Sequence, residues 1–268
     1  MKLLVSVRSG AEVEPALTGG ADIIDAKEPA RGSLGPVSDA VLAEIMVQVP
    51  GDWALSIALG DFSDPAEVLA TLSSLRLAPR PAPLYLKLGF AGVSASDRIE
   101  AMVAAAVAAS ESLEASPRIV IVAYADSRRA ETASSDSLRS IAAAGGAAGV
   151  LLDTCIKDGH GLLEWIDGPS LERWVGLARA AGLVTALAGG LQLDDIAVIS
   201  SAYPDVVGVR GAACDGGREG PVSAERVRAL RKRTELIAAP FNAAVSLADA
   251  IGGETRDSGA ISPWGEGC

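Results

Sequence analysis

The 268-residue sequence predicts an α/β protein, a (β/α)8 TIM barrel, and three observations predict it. Eight short apolar or β-branched runs alternate with longer stretches of helical periodicity over the first 235 or so residues. The runs are almost continuously apolar, as a parallel sheet covered on both faces requires. The first run continues as Val7-Arg8-Ser9-Gly10-Ala11, without the glycine fingerprint that a doubly wound dinucleotide-binding sheet carries at that turn.

The expected strands are residues 2–7, 21–27, 53–60, 84–90, 118–126, 149–156, 184–189 and 206–211. The first is a strand and not a secretory leader, because Arg8 and Glu12 interrupt the apolar run too early. Between strands, residues 37–49 place Val41, Leu42, Ile45, Met46 and Val49 on one helical face, and residues 96–113 do the same with Ile99, Met102, Val103, Ala106 and Val107. Start signals precede these runs at Ser38-Asp39, Asp64-Pro65, Ser96-Asp97, Ser135-Asp136, Ser170 and Ser223. Gly19-Gly20, Gly145-Gly146 and Gly182 mark helix ends. The proline-rich segment 77–83 reads as a stiff loop, since the barrel pattern resumes at once. One barrel domain over residues 1–236 is expected, followed at 237–268 by a short helix near 242–250 and a Gly- and Ser-rich irregular tail.

Composition removes whole classes of function. With 49% hydrophobic and 21% charged residues the chain is not disordered. No apolar run reaches the roughly 18 residues that a bilayer span needs. A formal charge of −11 argues against nucleic acid and anionic membranes as partners, though a local cation cluster would still hold a small phosphorylated substrate. Cys155, Cys214 and Cys268 are distant and odd in number, which points to the reducing cytoplasm. His160 is the only histidine, so two-histidine metal motifs are impossible and a Ser-His-Asp triad is disfavoured. No metal constellation stands out, and no cofactor is called for. The expected partners are a small phosphorylated substrate and further copies of the chain.

Catalytic side chains in this fold lie at the C-terminal ends of strands. The chain has only five lysines, and three of them, Lys27, Lys87 and Lys157, fall at or near such ends. Residues two apart on a strand share a face, so Asp25 accompanies Lys27, and Asp153 accompanies Cys155 and, if the strand continues, Lys157. Amines crowded over one mouth lower one another's pKa, as a lysine nucleophile needs, whereas arginine stays protonated. One Lys–Asp pair could equally be structural; three lysines and two aspartates on one rim favour chemistry or phosphate binding. The loops after strands seven and eight, Ala188-Gly189-Gly190 and Arg210-Gly211-Ala212, are where barrels often grip phosphate through backbone N–H groups. Cys155 reads as a core thiol and His160 as a solvated loop residue. Arg226, Arg228, Arg231, Lys232 and Arg233 read as the solvated face of the last helix.

Several segments together resemble one family: Leu4-Val5-Ser6, the run Gly19-Gly20-Ala21-Asp22-Ile23-Ile24-Asp25-Ala26-Lys27, Gly32-Ser33-Leu34-Gly35, Leu152-Asp153-Thr154, Lys157-Asp158-Gly159, Ala186-Leu187-Ala188-Gly189 and Val207-Gly208-Val209-Arg210-Gly211-Ala212-Ala213-Cys214. The sequence is similar to the (5-formylfuran-3-yl)methyl phosphate synthases of methanofuran biosynthesis, over about residues 1–235. The resemblance implies a lyase that joins two glyceraldehyde 3-phosphate molecules with loss of phosphate and water. It implies a Schiff base on Lys27 and active-site roles for Asp25, Lys87, Asp153 and Lys157. The alternatives are another Schiff-base aldolase or isomerase acting on sugar phosphates, or a non-catalytic barrel that binds a phosphorylated metabolite.

Overall fold

A computed structural model describes residues 1–235. The eight strands are β1 (Lys2–Val7), β2 (Ile23–Ala26), β3 (Ala54–Asp61), β4 (Leu84–Gly89), β5 (Arg118–Tyr124), β6 (Gly149–Asp153), β7 (Val184–Leu187) and β8 (Val206–Val209). Each pairs in parallel with its neighbours in chain order, and β8 closes onto β1. Helices α1 (Val13–Thr18), α2 (Asp39–Gln48), α3 (Pro65–Ser74), α4 (Ser96–Glu111), α5 (Ser135–Ala144), α6 (Gly168–Ala180) and α7 (Asp195–Ser200) form the outer ring, joined by a helix at residues 224–235. No helix among the described residues is long and apolar enough to cross a membrane. The expected tail, residues 237–268, lies outside the described residues.

Strand alternation divides the side chains into two populations. Leu3, Val5 and Val7 of β1, Leu55 and Ile57 of β3, and Leu84, Leu86 and Leu88 of β4 face the helices and form the main core. The inward positions hold smaller or polar residues instead, among them Ser6, Asp25, Ser56, Ala186 and Gly208. Val120, Val122 and Leu151 plug part of the interior. The remainder stays open as a cavity of about 390 Å³.

Half of the six helix start signals act as read, and three are displaced. Ser38, Asp64 and Ser134 accept hydrogen bonds from Val41, Ala66 and Ser137 N–H groups. Ser134, not Ser135, is therefore the cap of α5. Asp167 caps α6, with Ser170 already inside that helix, and α4 starts after Ala95 without a side-chain cap. Gly20, Gly146 and Gly182 adopt positive φ at the helix exits.

Most strands end earlier than their apolar runs suggest. β2 stops at Ala26, β5 at Tyr124, β6 at Asp153, β7 at Leu187 and β8 at Val209. The polar and glycine residues that follow leave the ladder to form the barrel mouth. Arg231 is not simply solvated: it pairs with Asp22 and Glu235, fastening the last helix to the start of β2.

Candidate active site

Lys27 is the first residue past β2. Its N–H still donates to Val7 O at 3.0 Å, so the backbone remains fixed while the side chain turns into the barrel with Asp25. Lys87 occupies an inward position within β4, and Asp153 ends β6. Lys157 arrives by a different route from the one alternation suggests. The chain leaves β6 at once because Asp126 accepts the N–H groups of Cys155 (2.6 Å) and Ile156 (3.0 Å). Lys157 then reaches back from the loop, donating to Asp153 Oδ1 at 2.7 Å and Thr154 Oγ1 at 3.0 Å. All five residues line the one cavity.

The pairing also differs from expectation. Asp25 does not hold Lys27; its Oδ1 lies 2.7 Å from Lys87 Nζ, and its Oδ2 accepts from Ser6 Oγ at 2.7 Å. A buried ion pair, Lys87–Asp25, and a partly buried one, Lys157–Asp153, therefore flank Lys27, whose Nζ has no ion pair among the described residues. Burial opposes the charged form of both aspartates, but the lysine charges outweigh it and hold each carboxyl below its usual range. Burial, reinforced by the Lys87 charge and opposed by Asp153 and Asp25, pushes Lys27 down from 10.5 to about 7. A substantial share of Lys27 is thus a neutral amine near neutral pH, while Lys87 and Lys157 each sit against a carboxylate.

A second polar group was missed from the sequence. Tyr124 donates to Asp61 Oδ1 at 2.8 Å and accepts from Ser33 Oγ at 3.2 Å. Loss of water raises the Asp61 pKa, against the Ala91 N–H and the Tyr124 hydroxyl, and Asp153 adds to the rise. Both residues close their strands, so the strand-end rule applied to β3 and β5 would have found them. Gly89 beside them must be glycine, because a Cβ there would stand 2.3 Å from Asp61 Oδ1 and 2.7 Å from the Tyr124 hydroxyl. Cys155 is half-buried at this edge, with its thiol pushed up to about 11 by burial, so it is no thiolate. His160 is exposed and pairs with Glu164 at 2.7 Å, although it reaches the cavity rim.

On the β7–β8 side, Gly189 and Gly190 both adopt positive φ, and they line the cavity with Gly211. Ala212 lies behind that wall, packed on the outer core. Arg210 is spoken for. Its guanidinium donates to both carboxylate oxygens of Glu12 and to the carbonyls of Ser6, Arg218 and Gly220, which uses all five N–H groups. The expected grip on phosphate rests on backbone N–H groups of this loop and does not call on the Arg210 side chain. Glu12→Gln should lower stability by about 2 kcal/mol, measured by urea unfolding, because a buried guanidinium loses its counter-charge; unchanged unfolding would contradict this brace.

Among the described residues no group of three or more His, Cys, Asp or Glu side chains gathers to hold a metal. In fold, the chain is similar to phosphoribosyl anthranilate isomerase from Thermotoga maritima (TM-score 0.57, 15% identity, 88% of this chain and 98% of that one). It is also similar to 3-hexulose-6-phosphate synthase from Salmonella typhimurium (TM-score 0.56, 14% identity, 88% and 100%). At such identities these likenesses bear on the fold alone. In sequence, the family model described as 4-HFC-P synthase matches residues 3–231. The (5-formylfuran-3-yl)methyl phosphate synthase of Methanosarcina barkeri is 35% identical over 230 residues, covering 86% of this chain and 97% of the relative. That of Archaeoglobus fulgidus is 36% identical over 229 residues, covering 85% and 96%. With a family model spanning the whole barrel and relatives this similar along nearly their full length, the chain belongs to the (5-formylfuran-3-yl)methyl phosphate synthase family.

Proposed function

We propose that this protein is a carbon–oxygen lyase that condenses two molecules of glyceraldehyde 3-phosphate into (5-formylfuran-3-yl)methyl phosphate, releasing one phosphate and two waters, through an imine on Lys27. The observation that carries the reading is Lys27 itself: a buried amine with a pKa of about 7, set between two lysine–aspartate pairs in the barrel cavity.

The neutral amine adds to the aldehyde of one triose and expels the first water. The resulting iminium acidifies the adjacent carbon, C2, and a carboxylate, Asp25 or Asp153, takes its proton. The skeleton of the product requires C2 to become the ring carbon bearing the phosphomethyl arm, so the enamine forms its new C–C bond from C2. The second triose gives up its C2 proton and its C3 phosphate by elimination, and C3 of the resulting hydroxy-enal accepts the new bond while the aldehyde is kept. The C2 hydroxyl leaves as the second water, and a hydroxyl oxygen of the second triose attacks the iminium carbon, closing the ring and freeing Lys27. Lys87 and Lys157, each paired with a carboxylate, are suited to donate protons to leaving oxygens and to face phosphate. The glycine loops after β7 and β8 supply backbone N–H groups for an anion.

The test is incubation with glyceraldehyde 3-phosphate alone. Stoichiometric phosphate release with the ultraviolet band of a conjugated furan aldehyde is expected. An imine trapped on Lys27 without any furan would favour another Schiff-base aldolase or isomerase of sugar phosphates, and no trapped imine at all would favour a binding protein.

A further inference from the structure

Building on that reading, we propose that Arg218 is the side chain that grips the phosphate of the triose substrate, with Arg210 as the positioning residue that fixes its loop.

Arg210 and Arg218 both line the cavity but are engaged very differently. Arg210 has its five donors committed and its charge matched by Glu12. Lys87 and Lys157 are matched by Asp25 and Asp153. Lys27 must be neutral to act as a nucleophile. Arg218 has no carboxylate at ion-pair distance among the described residues. It donates only through Nη2, to the carbonyls of Pro29 (2.7 Å) and Gly32 (2.6 Å). Those two contacts orient the guanidinium plane and leave Nε and Nη1 without a partner among the described residues. A half-buried, oriented guanidinium with unused donors and no carboxylate in contact is the arrangement that a phosphate dianion complements.

The surrounding backbone is built to hold that position. Arg210 Nε accepts no freedom in the loop: it donates to Arg218 O at 2.9 Å, and Arg210 Nη2 donates to Gly220 O at 2.8 Å, so the loop is fastened on either side of Glu219. Gly216 and Gly217 take positive φ, and a Cβ at Gly220 would stand 1.7 Å from Asp215 O, so this tight turn depends on glycine. The carbonyls that Arg218 engages belong to the segment directly after Lys27. A phosphate on Arg218 therefore belongs to a triose whose reactive carbon is near the Lys27 amine.

Inorganic phosphate is the probe, titrated by calorimetry into the full chain and into Arg218→Ala and Arg218→Gln variants shown to be folded by circular dichroism. Phosphate affinity should fall at least tenfold in either variant, and KM for glyceraldehyde 3-phosphate should rise by a similar factor with a smaller change in kcat. The ratio of borohydride-trapped adduct from glyceraldehyde 3-phosphate to that from unphosphorylated glyceraldehyde should fall as well. Arg218→Lys should recover part of each loss by restoring charge without the fork. Wild-type phosphate affinity in the folded variants, or equal loss of adduct from both aldehydes, would overturn the proposal. The titration is independent of furan formation. A wild-type protein that binds phosphate through Arg218 but makes no furan would refute only the synthase reading, and a variant that makes furan with unchanged KM would refute only the role of Arg218.

Discussion

Lys27→Arg is expected to lower furan formation at least ~1,000-fold and to abolish the borohydride-trapped adduct, although the side chain's reach is nearly conserved, because a guanidinium does not form the imine. In the unaltered protein, kcat/KM should rise with pH through about 7, where the Lys27 ammonium gives up its proton, since only the neutral amine attacks an aldehyde. Lys157→Arg should still yield the adduct on the peptide bearing Lys27 while turning over slowly, because Lys157 is tied to Asp153 and Thr154 and is the weaker nucleophile. Mass spectrometry of the reduced adduct discriminates directly. An adduct on Lys157, or near-normal turnover in Lys27→Arg, would remove Lys27 from the mechanism.

Asp25→Asn should be the most destabilising conservative change in the site. Asp25 is fully buried and Lys87 is 4% exposed, so the substitution strands an ammonium away from water. Breaking a buried pair by removing one partner costs about 3–5 kcal/mol, which for a barrel of this size corresponds to a fall in Tm of roughly 6–20 °C. Asp25→Asn combined with Lys87→Met should regain most of that loss, because no buried charge is then left alone, yet it should remain inactive. Calorimetric melting of the two variants tests this. If Asp25→Asn melts like the parent, the Lys87–Asp25 pair does not bear on stability as its geometry indicates.

Much of this protein is legible in the order of its residues. Eight apolar runs separated by periodic stretches demand a parallel sheet covered on both faces, and the missing glycine turn after the first run favours the closed barrel over a doubly wound sheet. Strand alternation places Lys27, Lys87 and Asp153 inward, and scarcity of lysine marks them. These are local properties, carried by periods of two and by capping residues within a few positions of one another.

Pairing across the barrel is not local, and only the tertiary structure decided it. Asp25 is two residues from Lys27 yet bonds Lys87 from β4, two strands along in the barrel, where the inward-facing side chains converge. Lys157 meets Asp153 through a loop bent by Asp126, a residue from the neighbouring strand's exit. Glu12 occupies the Arg210 guanidinium across 198 positions of sequence and leaves Arg218, an ordinary loop residue in the chain, as the cavity-lining guanidinium with donors to offer. Which cation is neutralised depends on which carboxylate reaches it first in three dimensions. Composition and spacing carry no record of that contest.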